Sequence, residues 1–308
     1  MRVAMSSGDP HLVPVQDAAT VVLLRDSDGS EPTGTPGPGL EVLIMLRNLN
    51  SDFVGGAYVF PGGAVDPADD PNDGNTKDSN TKDSNSKDSN SKDRAAIVHT
   101  AVPEGWELAP RVAAVREAFE EAGLLLARRH HQTETVDLHE AAAAPLIEGI
   151  GDDGSTSWRQ RIDAGEATIG ELCAAEGLVL ELDRLLPLSR WTTPLGANRR
   201  YDTRFYVTAA PPRQVALHDD VELVATRWIA PSAALAEAAE GTITMIFPTM
   251  VTMAWLSRFA TVAEALEALA GRDDPTAVTP EIVTEGDRLI IVLPDGSRFD
   301  AETAQPIG

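Results

Sequence analysis

Glu117, Glu120 and Glu121 are the residues of this 308-residue chain whose type and spacing point most directly to chemistry. They stand at i, i+3 and i+4, which sets three carboxylates on one face of a helix. Like charges at that spacing repel, so the pattern disfavours a helix unless a cation is expected. All-oxygen ligation suits Mg²⁺ or Mn²⁺, and no Cys/His cluster for zinc accompanies it. A solvated acidic helix face has the same spacing, and this stretch alone leaves both readings open. The element that must carry the glutamates is RVAAVREAFEEAGLLL, residues 111 to 126. Pro110 suits a first helical turn, and Gly123 suits the position just past the last. Between them Val112, Val115, Phe119 and Ala122 make an apolar stripe, so the helix can pack on a sheet while its glutamates face a cleft.

Upstream, FVGGAYVFPGGAVD (residues 53 to 66) places an apolar run before a Pro-Gly-Gly turn, where backbone can approach a ligand closely. PGG followed by REAFEEAGL resembles the Nudix hydrolase signature, which reads G, five residues, E, seven residues, then R-E-U-x-E-E-x-G-U with U aliphatic. Arg116 to Leu124 match its second half, with Ala118 at the first U position. The first half departs: six residues on from Gly63 stands Asp69 instead of Glu, and 46 residues (70 to 115) replace the usual seven. A box split this way behind FPGG resembles the coenzyme A diphosphatase branch of the family.

That resemblance implies an α/β/α sandwich with a mixed sheet that hydrolyses an X-P-P-Y diphosphate, with Mg²⁺ or Mn²⁺ held by Glu117, Glu120 and Glu121. It implies a backbone carbonyl near Gly62 as a further ligand and a late-loop glutamate near the metal, a position occupied by Glu222 with Asp219 and Asp220 beside it. Arg116 is expected to orient a neighbouring glutamate through a bidentate pair. The general base stays open among Glu120, Glu121 and Glu222. Arg47 and the Phe-x-x-Gly after it fall in a stretch that the branch associates with coenzyme A. RRYDTRF resembles a later segment of the same branch, which makes Arg199, Arg200 and Arg204 candidate phosphate contacts. A surface ion pair is the plainer meaning of each arginine. The resemblance implies coenzyme A or an acyl derivative as substrate, cleaved to 3′,5′-ADP and the 4′-phosphopantetheine half; NADH, nucleotide sugars and dinucleoside polyphosphates also suit the core motif and are the alternatives. A nucleotide-binding module that does not cleave, and a metal-binding structural protein, are the rival classes.

Composition bounds these readings. A charge of 25 − 48 = −23 argues against nucleic-acid or anionic-membrane binding, because both need a basic footprint. A polyanionic substrate would then need divalent cations to enter so acidic a cleft. Cys173 is the sole cysteine, so no intrachain disulfide forms, and it reads as a small buried apolar residue. Residues 1 to 20 lack a signal-peptide pattern and no run approaches a membrane span, so a soluble cytoplasmic protein is expected.

Along the chain, residues 1 to 16 read as an arm and 17 to 230 as the main domain, with strands at 19 to 25 and 41 to 47. An insertion fills 67 to 110. Within it TKDSN, TKDSN, SKDSN and SKD repeat from Thr76 to Asp93 with no apolar residue, a composition that predicts disorder. His99 reads as a loop histidine. Residues 128 to 188 read as a mainly helical excursion, in which Thr168 and Glu171 form a capping box. Strands are expected at 189 to 194 and 200 to 209, then C-terminal helices over 231 to 272 broken at 247 to 249. A β-meander over 279 to 308 closes the chain, pairing with the main sheet or with a second subunit in a homodimer.

Overall fold

The computed structural model describes residues 13–27, 39–49, 55–70, 107–138, 156–218 and 222–307. The TKDSN repeat, Phe53, His99, Asp219 and Asp220 lie outside the described residues, as does most of the helix expected from residue 137.

β1 (Val15–Ser27) is the central strand, and its alternating apolar residues decide the layering. Ala19, Val21 and Leu23 face one core, while Val22 and Leu24 face the other. β2 (Gly39–Arg47) divides the same way, Leu43 and Met45 against Val42 and Ile44. A sheet buried on both faces needs a helical layer on each side. Seven strands make that sheet, with β3 (Tyr58–Val59), β4 (Gly62–Ala64), β7 (Leu186–Thr192), β8 (Arg200–Ala209) and β9 (Leu223–Ile229) joining β1 and β2. β1 and β8 pair in parallel from Val15↔Arg200 to Leu24↔Ala209, and the other pairings are antiparallel. The sandwich with a mixed sheet is therefore present.

One face carries α1 (Ala109–Ala122), with Pro110 in its first turn and Gly123 at its end as expected. The apolar stripe is wider than expected. Val112, Ala113, Ala114, Val115, Ala118, Phe119 and Ala122 are all fully buried, because the excursion covers the side of α1 turned away from the sheet. The described parts of that excursion include a strand pair as well as helices. β5 (Ala127–Arg129) pairs antiparallel with β6 (Leu178–Leu180), and among the described residues between them lie α2 (Trp158–Asp163) and α3 (Ile169–Glu176). Leu178, Val179 and Leu180 are buried in succession, and so short an apolar run reads alike as strand or helix. The expected capping box at Thr168 and Glu171 starts α3.

The opposite face carries α4 (Pro231–Ala239), α5 (Phe247–Leu256) and α6 (Val262–Glu267). Phe247 and Pro248 open α5 rather than break a helix, since proline fits a first turn; the break lies earlier, where Met245 bridges to Tyr58. β10 (Glu281–Glu285), β11 (Arg288–Val292) and β12 (Arg298–Asp300) form the expected meander as a separate sheet. It packs on this chain through Phe299, whose ring lies 5.4 Å from that of Phe247. No helix among the described residues is long and apolar enough to cross a membrane.

Candidate active site

The strand that positions the site is β4, paired with β1 through Thr20↔Gly62 and Ala19↔Gly63. A Cβ on Gly63 would sit 2.4 Å from Glu117 Oε1 and would push that carboxylate aside, while one on Gly62 would sit 2.5 Å from the Ala19 carbonyl oxygen, where backbone leaves room for glycine alone. Next to it the Gly62 amide donates to Glu121 Oε2 at 2.8 Å. The FPGG turn and the glutamate helix thus meet directly.

Arg116 organises the carboxylates. Its Nε and Nη2 fork onto Asp69 Oδ1 and Oδ2 at 2.9 Å each, its Nη1 donates to both Glu117 Oε1 and Glu120 Oε2 at 2.8 Å, and its Nη2 also donates to Ala64 O. A guanidinium has five N–H donors, and all five are engaged. The bidentate partner is Asp69, not a glutamate. Asp69 is buried on a short turn (Pro67–Asp69) capped by Asp66, and its Oδ2 also accepts from the Asp66 amide. The turn brings the shorter aspartate within reach of Arg116. Asp69, six residues on from Gly63, thus reaches Arg116 from across the insertion.

Burial dominates the electrostatics. It pushes Glu120 up to about 7, against the pull of Arg116. Burial and then the Glu117 charge push Glu121 well above the carboxylate range, and Glu117 rises for the same first reason with Arg116 opposing. Burial also works against the charge on Arg116, but its bonds to Asp69 and the charges of Glu117 and Glu120 hold its proton more tightly than usual.

Asp69, Glu117 and Glu120 share the Arg116 cation while Glu121 takes an amide and the charge of Arg47, so the group lacks positive charge, which is the condition a divalent ion would relieve. The all-oxygen donor set fits Mg²⁺ or Mn²⁺. As placed, Glu117 and Glu120 turn to Arg116 and Glu121 to the Gly62 amide. No three His, Cys, Asp or Glu side chains among the described residues converge as a ready cage.

Glu222 lies close enough to add its charge to Glu117 and Glu121, and it pairs with Arg47, whose Nη2 is 2.8 Å from its Oε1. The other three arginines sit elsewhere. Arg204 pairs with Asp17 and with Glu107, at the opposite end of α1. Eight residues of helical rise put Ala109, at the start of α1, about 12 Å from Glu117 along the axis. Arg200 donates to Thr193 O at the start of β8, with Arg199 beside it. A cavity of 440 Å³ lined by Arg128, His131, Glu181 and Arg184 includes none of the glutamates.

A mixed-sheet α/β/α sandwich whose Gly-Gly strand abuts a helix of buried carboxylates is a Nudix-type domain. A family model described as the NUDT19 Nudix domain matches residues 15–256, and the chain belongs to that family. It is similar to proteins named acyl-coenzyme A diphosphatase NUDT19. The one from Gallus gallus is 30% identical over 247 residues, 74% of this chain and 64% of that protein. The one from Homo sapiens is 29% identical over 238 residues, 70% of this chain and 62% of that protein. The chain thus spans somewhat under two thirds of those relatives. A crystal structure of a NUDIX hydrolase from Alicyclobacillus acidocaldarius superposes with a TM-score of 0.60 at 22% identity, covering 85% of this chain and 100% of that one, and supports the fold.

Proposed function

We propose that the chain is a divalent-metal-dependent diphosphatase acting on coenzyme A or its acyl derivatives, cleaved to 3′,5′-ADP and the (acyl-)4′-phosphopantetheine half. The observation that carries the reaction class is the buried carboxylate face held by Arg116 against the Gly62–Gly63 strand. The substrate rests on the names of the relatives. Water adds across one phosphoanhydride bond, which breaks to give two phosphate monoesters and a proton. Glu117, Glu120 and Glu121, with the Gly62 carbonyl, would hold Mg²⁺ or Mn²⁺, which when bound neutralises the diphosphate and activates water. Arg116 has no donor left for substrate and acts by fixing Glu117 and Glu120. One of Glu120, Glu121 and Glu222 takes the proton. Of the four arginines, Arg47 is the one beside this group, and we assign it the substrate phosphate contact. Arg204 is left to its ion pairs and Arg200 to its backbone contact, and Arg199 is assigned no phosphate contact.

Phosphate-ester release from coenzyme A, acyl-coenzyme A, NADH and a nucleotide sugar, with Mg²⁺ or with EDTA, tests this. Coenzyme A compounds should turn over fastest, EDTA should abolish turnover, and Glu121→Gln should lower kcat by roughly two orders of magnitude or more. Turnover that survives EDTA would sink the metal assignment. Faster cleavage of NADH would overturn the substrate.

A further inference from the structure

The C-terminal end of α1 carries Glu120 and Glu121, and its terminal carbonyls can be followed one by one. A helix leaves its last four carbonyls without helical partners. Gly123, at φ 66°, turns the chain back so that its own amide bonds Phe119 O and the Leu124 amide bonds Ala118 O. Ala122 O accepts from the Leu217 amide at 2.9 Å. The two that remain are the backbone carbonyls of Glu120 and Glu121 themselves. Arg159 takes both, with Nε to Glu120 O and Nη2 to Glu121 O at 2.9 Å each. Its Nη2 also donates to Leu217 O at 2.8 Å.

Arg159 comes from the excursion, and its own helix is anchored. Ser157 caps α2 through Gln160, the Trp158 indole donates to Glu176, and Arg161 stacks on the Trp158 ring at 4.4 Å. The guanidinium is therefore delivered from a fixed base. It holds the backbone of two proposed ligand residues and the segment that leads on toward Glu222. A planar fork spans three carbonyls in a way that an ammonium cannot.

We propose that Arg159 is a positioning residue for the metal site, setting the angle at which α1 presents Glu120 and Glu121. The inference rests on the metal reading above. Groups that orient ligands in this way typically shift metal affinity about 10–100-fold when removed. A cap that served stability alone would lower the melting temperature and leave metal affinity where it was.

The test is Mn²⁺ binding to the full chain without substrate, read as free Mn²⁺ by electron paramagnetic resonance, beside metal-free melting temperature. Arg159→Lys keeps a cation at the helix end, and Arg159→Gln keeps one short donor, so folding has two chances to survive. Both variants should bind Mn²⁺ about 10-fold or more weaker. At saturating Mn²⁺ the loss should fall on kcat, with KM for coenzyme A changed less than about 3-fold. Parent-like Mn²⁺ affinity in either folded variant overturns the proposal and leaves the metal reading standing. A parent protein that takes up no Mn²⁺ overturns both.

Discussion

At the scale of residues, the site is a problem of too much negative charge in too little water. Arg116 neutralises one unit of it and is saturated by Asp69, Glu117, Glu120 and Ala64 O. The remaining charge shows as carboxyls that hold their protons. Glu120 is pushed from 4.5 up to about 7 by burial, so between those values the folded metal-free protein binds more protons than the unfolded chain. Stability then falls as pH rises through that window, the opposite sign from a salt-bridged carboxylate. A bound divalent ion competes with those protons. The rise in melting temperature that Mn²⁺ produces should therefore grow from about pH 5 to about pH 8, and Glu120→Gln in EDTA should lose less stability over that range than the parent. Thermal unfolding at a series of pH values, with Mn²⁺ and with EDTA, checks both. A Mn²⁺ effect that is flat with pH would contradict the account.

At the scale of elements, α1 was legible because its signals are local. Pro110 and Gly123 mark its ends, Glu117, Glu120 and Glu121 mark its chemical face, and counting six residues from Gly63 reaches Asp69. What sequence could not give is the partner from far along the chain. Nothing around Arg159 signals that its side chain reaches the end of α1, because that contact exists only once the excursion folds back. The β5–β6 pair within the excursion was not legible for a related reason: its pairing is non-local, and Leu178, Val179 and Leu180 fit either period. A surface ion pair is the plainer meaning of each arginine in RRYDTRF, but its partners are not legible: Arg204 meets Asp17 and Glu107, which lie far from it in sequence. The end of α1 also yields a prediction. Gly123→Ala places a Cβ in the left-handed region and 3.2 Å from Arg159 Nη1, so it should cost about 1–2 kcal/mol by urea denaturation. Gly123→Asn should cost less, since asparagine tolerates that region better. An alanine variant as stable as the parent would show that the turn relaxes.

At the scale of the molecule, a chain of net charge −23 binds its site together across an insertion of unusual composition. Both ends of that insertion are fixed: Asp69 is locked to Arg116, and Glu107 leads into α1 while pairing with Arg204. Seven residues of helical rise, from Ala109 to Arg116, set the start of α1 about 10 Å from the Arg116 anchor. The connection from Asp70 to Glu107 contains 36 residues, and removing Asn75 to Lys92 takes away 18, leaving 36 − 18 = 18. Eighteen residues can span about 60 Å when extended, so the shortened link closes without strain. Shortening a loop by half changes its closure entropy by only about 0.6 kcal/mol, in favour of the folded state. The deleted residues are polar, contain no aliphatic or aromatic side chain, and carry lysines and aspartates that nearly cancel. The contacts described for the Asp69–Arg116 lock and the glutamate face are made by residues outside the deleted segment. The deletion variant should therefore melt within a few degrees of the parent and keep its kcat and its Mn²⁺ requirement, as read by thermal unfolding and by the diphosphate assay. A fall of ten degrees or more, or a large loss of kcat with Mn²⁺ affinity intact, would show that the repeat serves the folded enzyme, and the split in the box would then need a functional explanation rather than a tolerance one.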